Sequence, residues 1–181
     1  GFYDDIMEIV KYINHKCQTL LFSATYPKTV EKLAMKILHN PEQVKISVSK
    51  PADGISQNIF LVNDDLKQKL LCAIAKSQSW KKTIIFASSK QNVKDLYKQL
   101  IRLNFNVAQI HSDLDNNTRS EVILNFKNGK VDLLVATDVV ARGIDIENVE
   151  VVVNYDVPSH PEDYVHRVGR TARAGATGVA Y

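Results

Sequence analysis

Short, wholly apolar runs alternate with stretches of helical periodicity along most of this chain, and that alternation constrains its fold more than any other feature. Strands are expected at residues 59–62, 83–87, 107–110, 131–136 and 149–155, and helices at 66–75, 93–103, 118–126 and 161–168. Strands without a polar alternate face are covered on both sides, which is the habit of parallel sheets in α/β proteins. The expected fold is therefore a parallel sheet with helices on both faces. Right-handed crossovers then place the C-terminal strand ends, and the loops after them, along one edge, where ligands bind in such sheets.

The first fifty residues follow the same grammar in miniature. Ile6, Ile9, Val10 and Ile13 recur at helical spacing, Thr19-Leu20-Leu21-Phe22 reads as a short strand, and Pro27 suits the first turn of a helix reaching Leu38. His39-Asn40-Pro41 breaks that helix, and a further strand is expected at 44–48. The polar, aperiodic Ser49-Lys50-Pro51-Ala52-Asp53-Gly54 reads as an interdomain linker. The expected division is the end of one domain at 1–47, a linker at 48–55 and a second domain at 56–181. Gly1 is no initiator methionine and Gly178-Val179-Ala180-Tyr181 reads as the start of a strand, so both ends are expected to be cut.

Composition narrows the function classes. Among 181 residues, 45% are hydrophobic and 24% charged, which fits a globular chain, and the net charge of +3 permits a nucleic-acid partner without requiring one. Cys17 and Cys72 have neither CxxC spacing nor a histidine pair, so two buried, reduced thiols are expected rather than a disulfide or zinc site. No apolar run approaches the ~20 residues of a bilayer span.

Several loops after expected strands carry chemistry. Ser23-Ala24-Thr25 can cap a helix or relay between neighbouring groups, and Ser88-Ser89 can cap the next helix or bind a phosphate at its N-terminus. The loop from Thr137-Asp138 to Arg142-Gly143-Ile144-Asp145 gathers a hydroxyl, an arginine and two carboxylates after a buried strand. Gly143 points to a tight turn, and Asp145 to a cap or an acceptor for sugar hydroxyls. Asp115 or Asn116 can cap a helix whose first turn holds Arg119 against the helix dipole, an arrangement a bound phosphate would offset. The run His166-Arg167-Val168-Gly169-Arg170-Thr171-Ala172-Arg173 carries three arginines and no acid. If helical, it would align His166, Arg170 and Arg173 on one stripe, suited to a polyanion through planar bidentate contacts. A solvated basic face is the plainer reading, which the glycine weakens. His111 and His160 lack metal-ligand neighbours and read as structural or exposed.

Taken in order, these loops resemble the motifs of the DEAD-box RNA helicases of superfamily 2. Ser23-Ala24-Thr25 resembles the SAT motif, Ile84-Ile85-Phe86 motif IV, Thr137-Asp138 through Asp145 motif V, and Tyr164 through Arg173 motif VI. Gly1-Phe2 is similar to the Gly-Phe that follows the DEAD box, and the texture resembles a bacterial RhlE-like member.

The resemblance implies two RecA-like domains closing over ATP and RNA, with this chain holding the end of the first and most of the second. It implies that Arg170 and Arg173 are arginine fingers reaching the γ-phosphate and that Asp145 holds the ATP ribose. Ser88, Asn116, Arg119 and Thr137 would touch the RNA backbone, with Arg142 and Gly143 shaping the motif V loop. Ser23, Thr25 and His166 would couple the domains. ATP and Mg²⁺ would be bound mainly by the first domain, and the partner would be single-stranded RNA or a short duplex gripped by a cytoplasmic monomer. Three positions depart from the family pattern: Asn116 stands for Gln, Ser112 for Gly, and Ala172 for Gly.

The chain contains no GxxxxGK[ST] loop and no DEAD or DExH run, so it is expected to hydrolyse no ATP by itself. A non-catalytic RNA- or protein-binding module and a superfamily 2 DNA helicase are the other readings the residues allow.

Overall fold

The computed structural model describes residues 2–14, 16–23, 26–44, 54–138, 146, 149–172 and 176–181. Cα packing divides the chain into two units, Gly1–Val48 and Ser49–Tyr181.

The first unit contains helices α1 (Tyr3–Val10) and α2 (Lys28–Ile37). The second runs β1 (Ile55–Gln57), α3 (Asp64–Ser77), β2 (Thr83–Phe86), α4 (Lys90–Arg102), β3 (Val107–Ile110), α5 (Asn116–Lys127), β4 (Leu133–Ala136), β5 (Val151–Asn154), α6 (Pro161–Val168) and β6 (Gly178–Ala180). Its strands form one sheet in the order β1-β6-β5-β2-β4-β3, with every pair parallel.

The central strands β2, β4 and β5 are almost wholly apolar because both faces of the sheet are covered there. On one face Ile84, Phe86, Leu134, Ala136 and Val152 pack with Phe126 of α5 and Val168 of α6. On the other, Ile85, Leu133, Val135, Val151 and Val153 pack with Leu71 and Ala75 of α3 and with Val93, Leu96 and Leu100 of α4. Successive residues of these central strands thus enter opposite layers, the period-2 rule applied where neither face is wet. Each fully buried aliphatic side chain contributes about 1.5–3 kcal/mol relative to its exposed state.

Some expected elements differ. The strand expected at 59–62 forms instead at Ile55–Gln57, paired in register with Gly178–Ala180, and Asn58 N–H donates to the Ala180 carbonyl at 2.8 Å. Beyond that bond Ile59 and Leu61 are exposed, so their apolar pattern meets no ladder among the described residues. Thr19-Leu20-Leu21-Phe22 is irregular rather than a strand, with Leu20 and Phe22 exposed. Of the strand expected at 44–48, only Val44 is described, and it is not in a strand. Cys72 is buried as expected, but Cys17 is exposed, and both are free thiols.

Candidate functional site

The loops after β2, β3, β4 and β5 open along the C-terminal edge of the sheet. Phe86 pairs with Ala136 and with Asn154, and Ile110 pairs with Ala136. The residues just beyond these pairs, Ser88 after β2, His111 after β3, Thr137 after β4 and Asp156 after β5, therefore emerge side by side. This is the edge where open parallel sheets hold ligands.

Arg167 of α6 ties together two of these loops, those after β4 and β5. Its Nε and Nη2 both reach the Asp138 carboxylate, at 2.6 Å each, and its Nη1 donates to the Asp156 carbonyl at 2.6 Å and to Asn154 Oδ1 at 3.2 Å. The guanidinium also lies 5.1 Å from the centre of the Phe86 ring. Arg167 is only 3% exposed, so its charge is tolerated through this bidentate pairing and the extra acceptors. Of the charges expected to need partners beside a buried strand, Asp138 has its partner here, while Arg142 and Asp145 lie outside the described residues.

Asp156 is the second hub. Its Oδ2 accepts from the Ser88 backbone N–H at 2.8 Å, the Ser88 hydroxyl at 2.9 Å and the Asn92 amide at 3.1 Å, and its Oδ1 from Lys67 Nζ at 3.2 Å. Burial alone would raise this carboxyl, but the Ser88 and Asn92 donors and Lys67 outweigh it and hold the group below the usual carboxylate range. Burial likewise pulls Lys67 down, and Asp156 and Asp64 more than restore it.

Helix α4 begins where Ser89 accepts the Asn92 N–H at 3.1 Å, so the two serines divide their work: Ser89 caps and Ser88 faces Asp156. Helix α5 begins at Asp115, which accepts the Thr118 N–H at 2.9 Å and the Thr118 hydroxyl at 2.6 Å. These bonds hold the Asp115 carboxyl below its ordinary range. Asn116 is exposed at the helix start, and Arg119 is half-buried, its Nε donating to the Leu114 carbonyl at 2.9 Å. That bond fixes the guanidinium against the helix entry and answers part of the dipole conflict. Thr137 is half-buried between Ala136 and Asp138.

His111 is buried, and its Nδ1 accepts the Asp113 N–H at 3.3 Å. Burial pushes its imidazole below the ordinary range, and Lys94 adds to this. Asp113 is clamped by Lys94 at 2.7 Å and Lys90 at 2.9 Å, which bring its carboxyl down to about 2.

The arginine run is not one helical stripe. Helix α6 stops at Val168 with Gly169 as its cap, so His166 lies on the helix and Arg170 after it. Thr171 anchors the turn: its hydroxyl donates to the Val149 carbonyl at 2.5 Å, and the backbones of the two residues bridge. A Cβ on Gly178 would fall 2.0 Å from the Thr171 hydroxyl, so β6 passes over this anchor only as glycine. Ala172, where the family resemblance expects glycine, has φ +53°, a left-handed conformation costing an L-residue about 1–2 kcal/mol.

Ser23 is exposed in the first unit. Thr25, Arg142, Gly143, Asp145 and Arg173 lie outside the described residues. Asp156, Asn92 and Lys67 were not expected in the site, and Asp138 and Arg167 were read only as members of the loop after β4 and of the arginine run. Among the described residues, no cluster of three His, Cys, Asp or Glu side chains is placed for a metal, and no helix is long and apolar enough to cross a membrane.

A doubly covered parallel sheet with polar loops at its C-terminal edge is the RecA-like class. Residues 66–175 match the helicase conserved C-terminal domain, and the chain belongs to that family. Its relatives are DEAD-box ATP-dependent RNA helicases. It is 40% identical over 181 residues to RhpA of Helicobacter pylori, covering 99% of this chain and 37% of that protein. It is 42% identical to CshA of Limosilactobacillus reuteri, and 45% identical to DEAD-box ATP-dependent RNA helicase 40 of Oryza sativa, of which it covers 23%. Bacterial and plant relatives match about equally, which singles out no RhlE-like subtype. Among solved structures, Saccharomyces cerevisiae Dbp5 bound to RNA and ADP BeF3 matches with a TM-score of 0.87 at 32% identity, covering 99% of this chain and 48% of that one. The chain thus spans well under half the length of the curated relatives named here.

Proposed function

We propose that this chain is the C-terminal motor portion of an ATP-dependent RNA helicase, with residues 1–47 ending a first RecA-like domain, 48–55 linking and 56–181 forming most of the second. The observation that carries the reading is the buried Arg167 junction. It joins the loop bearing Thr137 and the Asp156 loop that holds Ser88 to the helix that leads into Arg170. In this reading RNA lies along Ser88, Asn116, Arg119 and Thr137, with Arg142 and Gly143 shaping the adjoining loop. ATP is met from the other side by Asp145 at its ribose and by Arg170 and Arg173 at its phosphates. Ser23, Thr25 and His166 pass the state of one domain to the other.

The chemistry suits such a division. Phosphoryl transfer needs positioning and charge stabilisation more than covalent participation, and an arginine finger is worth about 10³–10⁵ in rate. A finger carried on its own domain makes hydrolysis depend on domain closure. Mg²⁺ would supply charge neutralisation at the phosphates, and the residues that would hold it belong to the phosphate-binding half. Contacts to the sugar-phosphate backbone give binding with little sequence preference and marked salt dependence.

The test is the purified 181-residue chain with ATP, Mg²⁺ and single-stranded RNA. It is expected to give no turnover, since its sequence has neither the GxxxxGK[ST] loop nor the DEAD run. RNA-stimulated hydrolysis by this chain alone would overturn the division of labour.

A further inference from the structure

Ser88 is exposed at the sheet edge, yet both of its donors point inward. Its backbone N–H and its hydroxyl reach the same oxygen of Asp156, at 2.8 and 2.9 Å. An ionised carboxylate only accepts, so the hydroxyl hydrogen must lie on the Asp156 side. Asn92 Nδ2 then donates to Ser88 Oγ at 3.2 Å and fills one of its two lone pairs. What Ser88 offers outward is the remaining lone pair. A phosphate oxygen is itself an acceptor and gains nothing there, and the Asp156 charge behind the serine opposes it further. A hydroxyl that donates fits. On an RNA backbone the only such group is the ribose 2′-hydroxyl, which DNA lacks.

We propose that Ser88 reads a ribose 2′-hydroxyl as an acceptor, with Asp156 as the positioning residue that holds the serine in that state. This rests on the RNA-helicase reading and deepens it, since it moves Ser88 from phosphate grip to sugar discrimination. Asp156 can hold that state because Lys67 occupies its other oxygen and Asn92 braces the same pair, so three segments of the domain converge on one serine. The low ionisation range of Asp156 keeps it an acceptor across the physiological span.

The experiment measures binding of the full-length protein to an oligouridylate, whose bases carry no exocyclic amine to compete as donor. A series of the same length carries one 2′-deoxy sugar at each successive position, and an all-deoxy strand completes it. Wild type is expected to lose about two- to tenfold in affinity at one position, the worth of one net hydrogen bond. Ser88→Ala is expected to bind the all-ribose strand weaker by that factor and to become indifferent to that position, with its sensitivity elsewhere unchanged. Asp156→Ala, which frees the hydroxyl to rotate, is expected to lower sensitivity at the same position. If Ser88→Ala keeps the wild-type positional profile, the proposal is overturned while the helicase reading stands. If wild type binds ribose and deoxyribose strands alike, the proposal again falls alone. If wild type binds no RNA, both fall.

Discussion

The two units of this chain differ in what they bury. In Ser49–Tyr181, eleven large apolar side chains among those described are below 2% exposure and are shared between two layers packed on a sheet. In Gly1–Val48, Ala34 is the one buried hydrophobic residue among those described, while Phe2, Tyr12, Leu20, Phe22 and Met35 are exposed. Helices α1 and α2 are amphipathic by sequence, but the described part of their unit contains no sheet for their apolar faces. Amphipathic periodicity therefore makes a helix, and only a partner layer makes a core. In the second unit the loops after the strands are tied down by Arg167 and Asp156; in the first, Ser23 is exposed and Thr25 lies outside the described residues.

That contrast can be attacked where its consequences are largest. Arg167→Ala should destabilise the chain by about 3–5 kcal/mol, because it leaves Asp138 charged and half-buried with its partner gone. Denaturant unfolding measures this, and a loss below about 1 kcal/mol would mean the junction is dispensable. Leu100→Ala in the second unit should cost about 2–5 kcal/mol as a core cavity, whereas Met35→Ala in the first should stay within about 0.5 kcal/mol as an exposed substitution. Equal effects at the two positions would erase the distinction between the units.

A smaller effect is expected from pH. His111 has a lowered ionisation range in the folded chain, so the unfolded chain binds its proton more readily. Stability from this residue is complete above the ordinary histidine range near 6.5 and is lost as pH falls through it. The group drawing this response faces Lys94, Lys90 and Asp113, and Asp113 stays ionised until pH approaches about 2. Unfolding free energy should therefore decline from pH 7.5 to 5, and His111→Gln should flatten the slope over that window. An unaltered slope in the variant would assign the pH response to other groups.

Local grammar was readable and long-range pairing was not. Ile84, Ile85 and Phe86, or Leu133 to Ala136, announce a doubly covered strand because each residue has only one of two layers to enter. The Asp115 cap was readable for the same reason, its acceptor lying three residues from its donor. The arginine run at 166–173 was legible as a run but not in its geometry, since Gly169 ends α6 before Arg170 and no single helical stripe forms among the described residues. Asp156 could not be found this way. Its partners Asn92, Ser88 and Lys67 are 64, 68 and 89 residues away, and nothing in the periodicity of those segments encodes their meeting. The position of β1 failed likewise: Ile59 to Val62 has the better strand composition, but the ladder partner Gly178–Ala180 selects Ile55–Gln57.

The central claim is that this chain brings the trigger for hydrolysis but not the phosphate site. The most direct measurement is single-turnover ATP hydrolysis by the full-length protein with saturating RNA, for wild type and Arg170→Ala, beside nucleotide affinity for each. Hydrolysis is expected to fall by about 10³-fold or more, with affinity changed by less than about threefold, since each threefold is only ~0.65 kcal/mol of binding. Unchanged turnover in Arg170→Ala would remove this arginine from the trigger and with it the account given for this half of the motor.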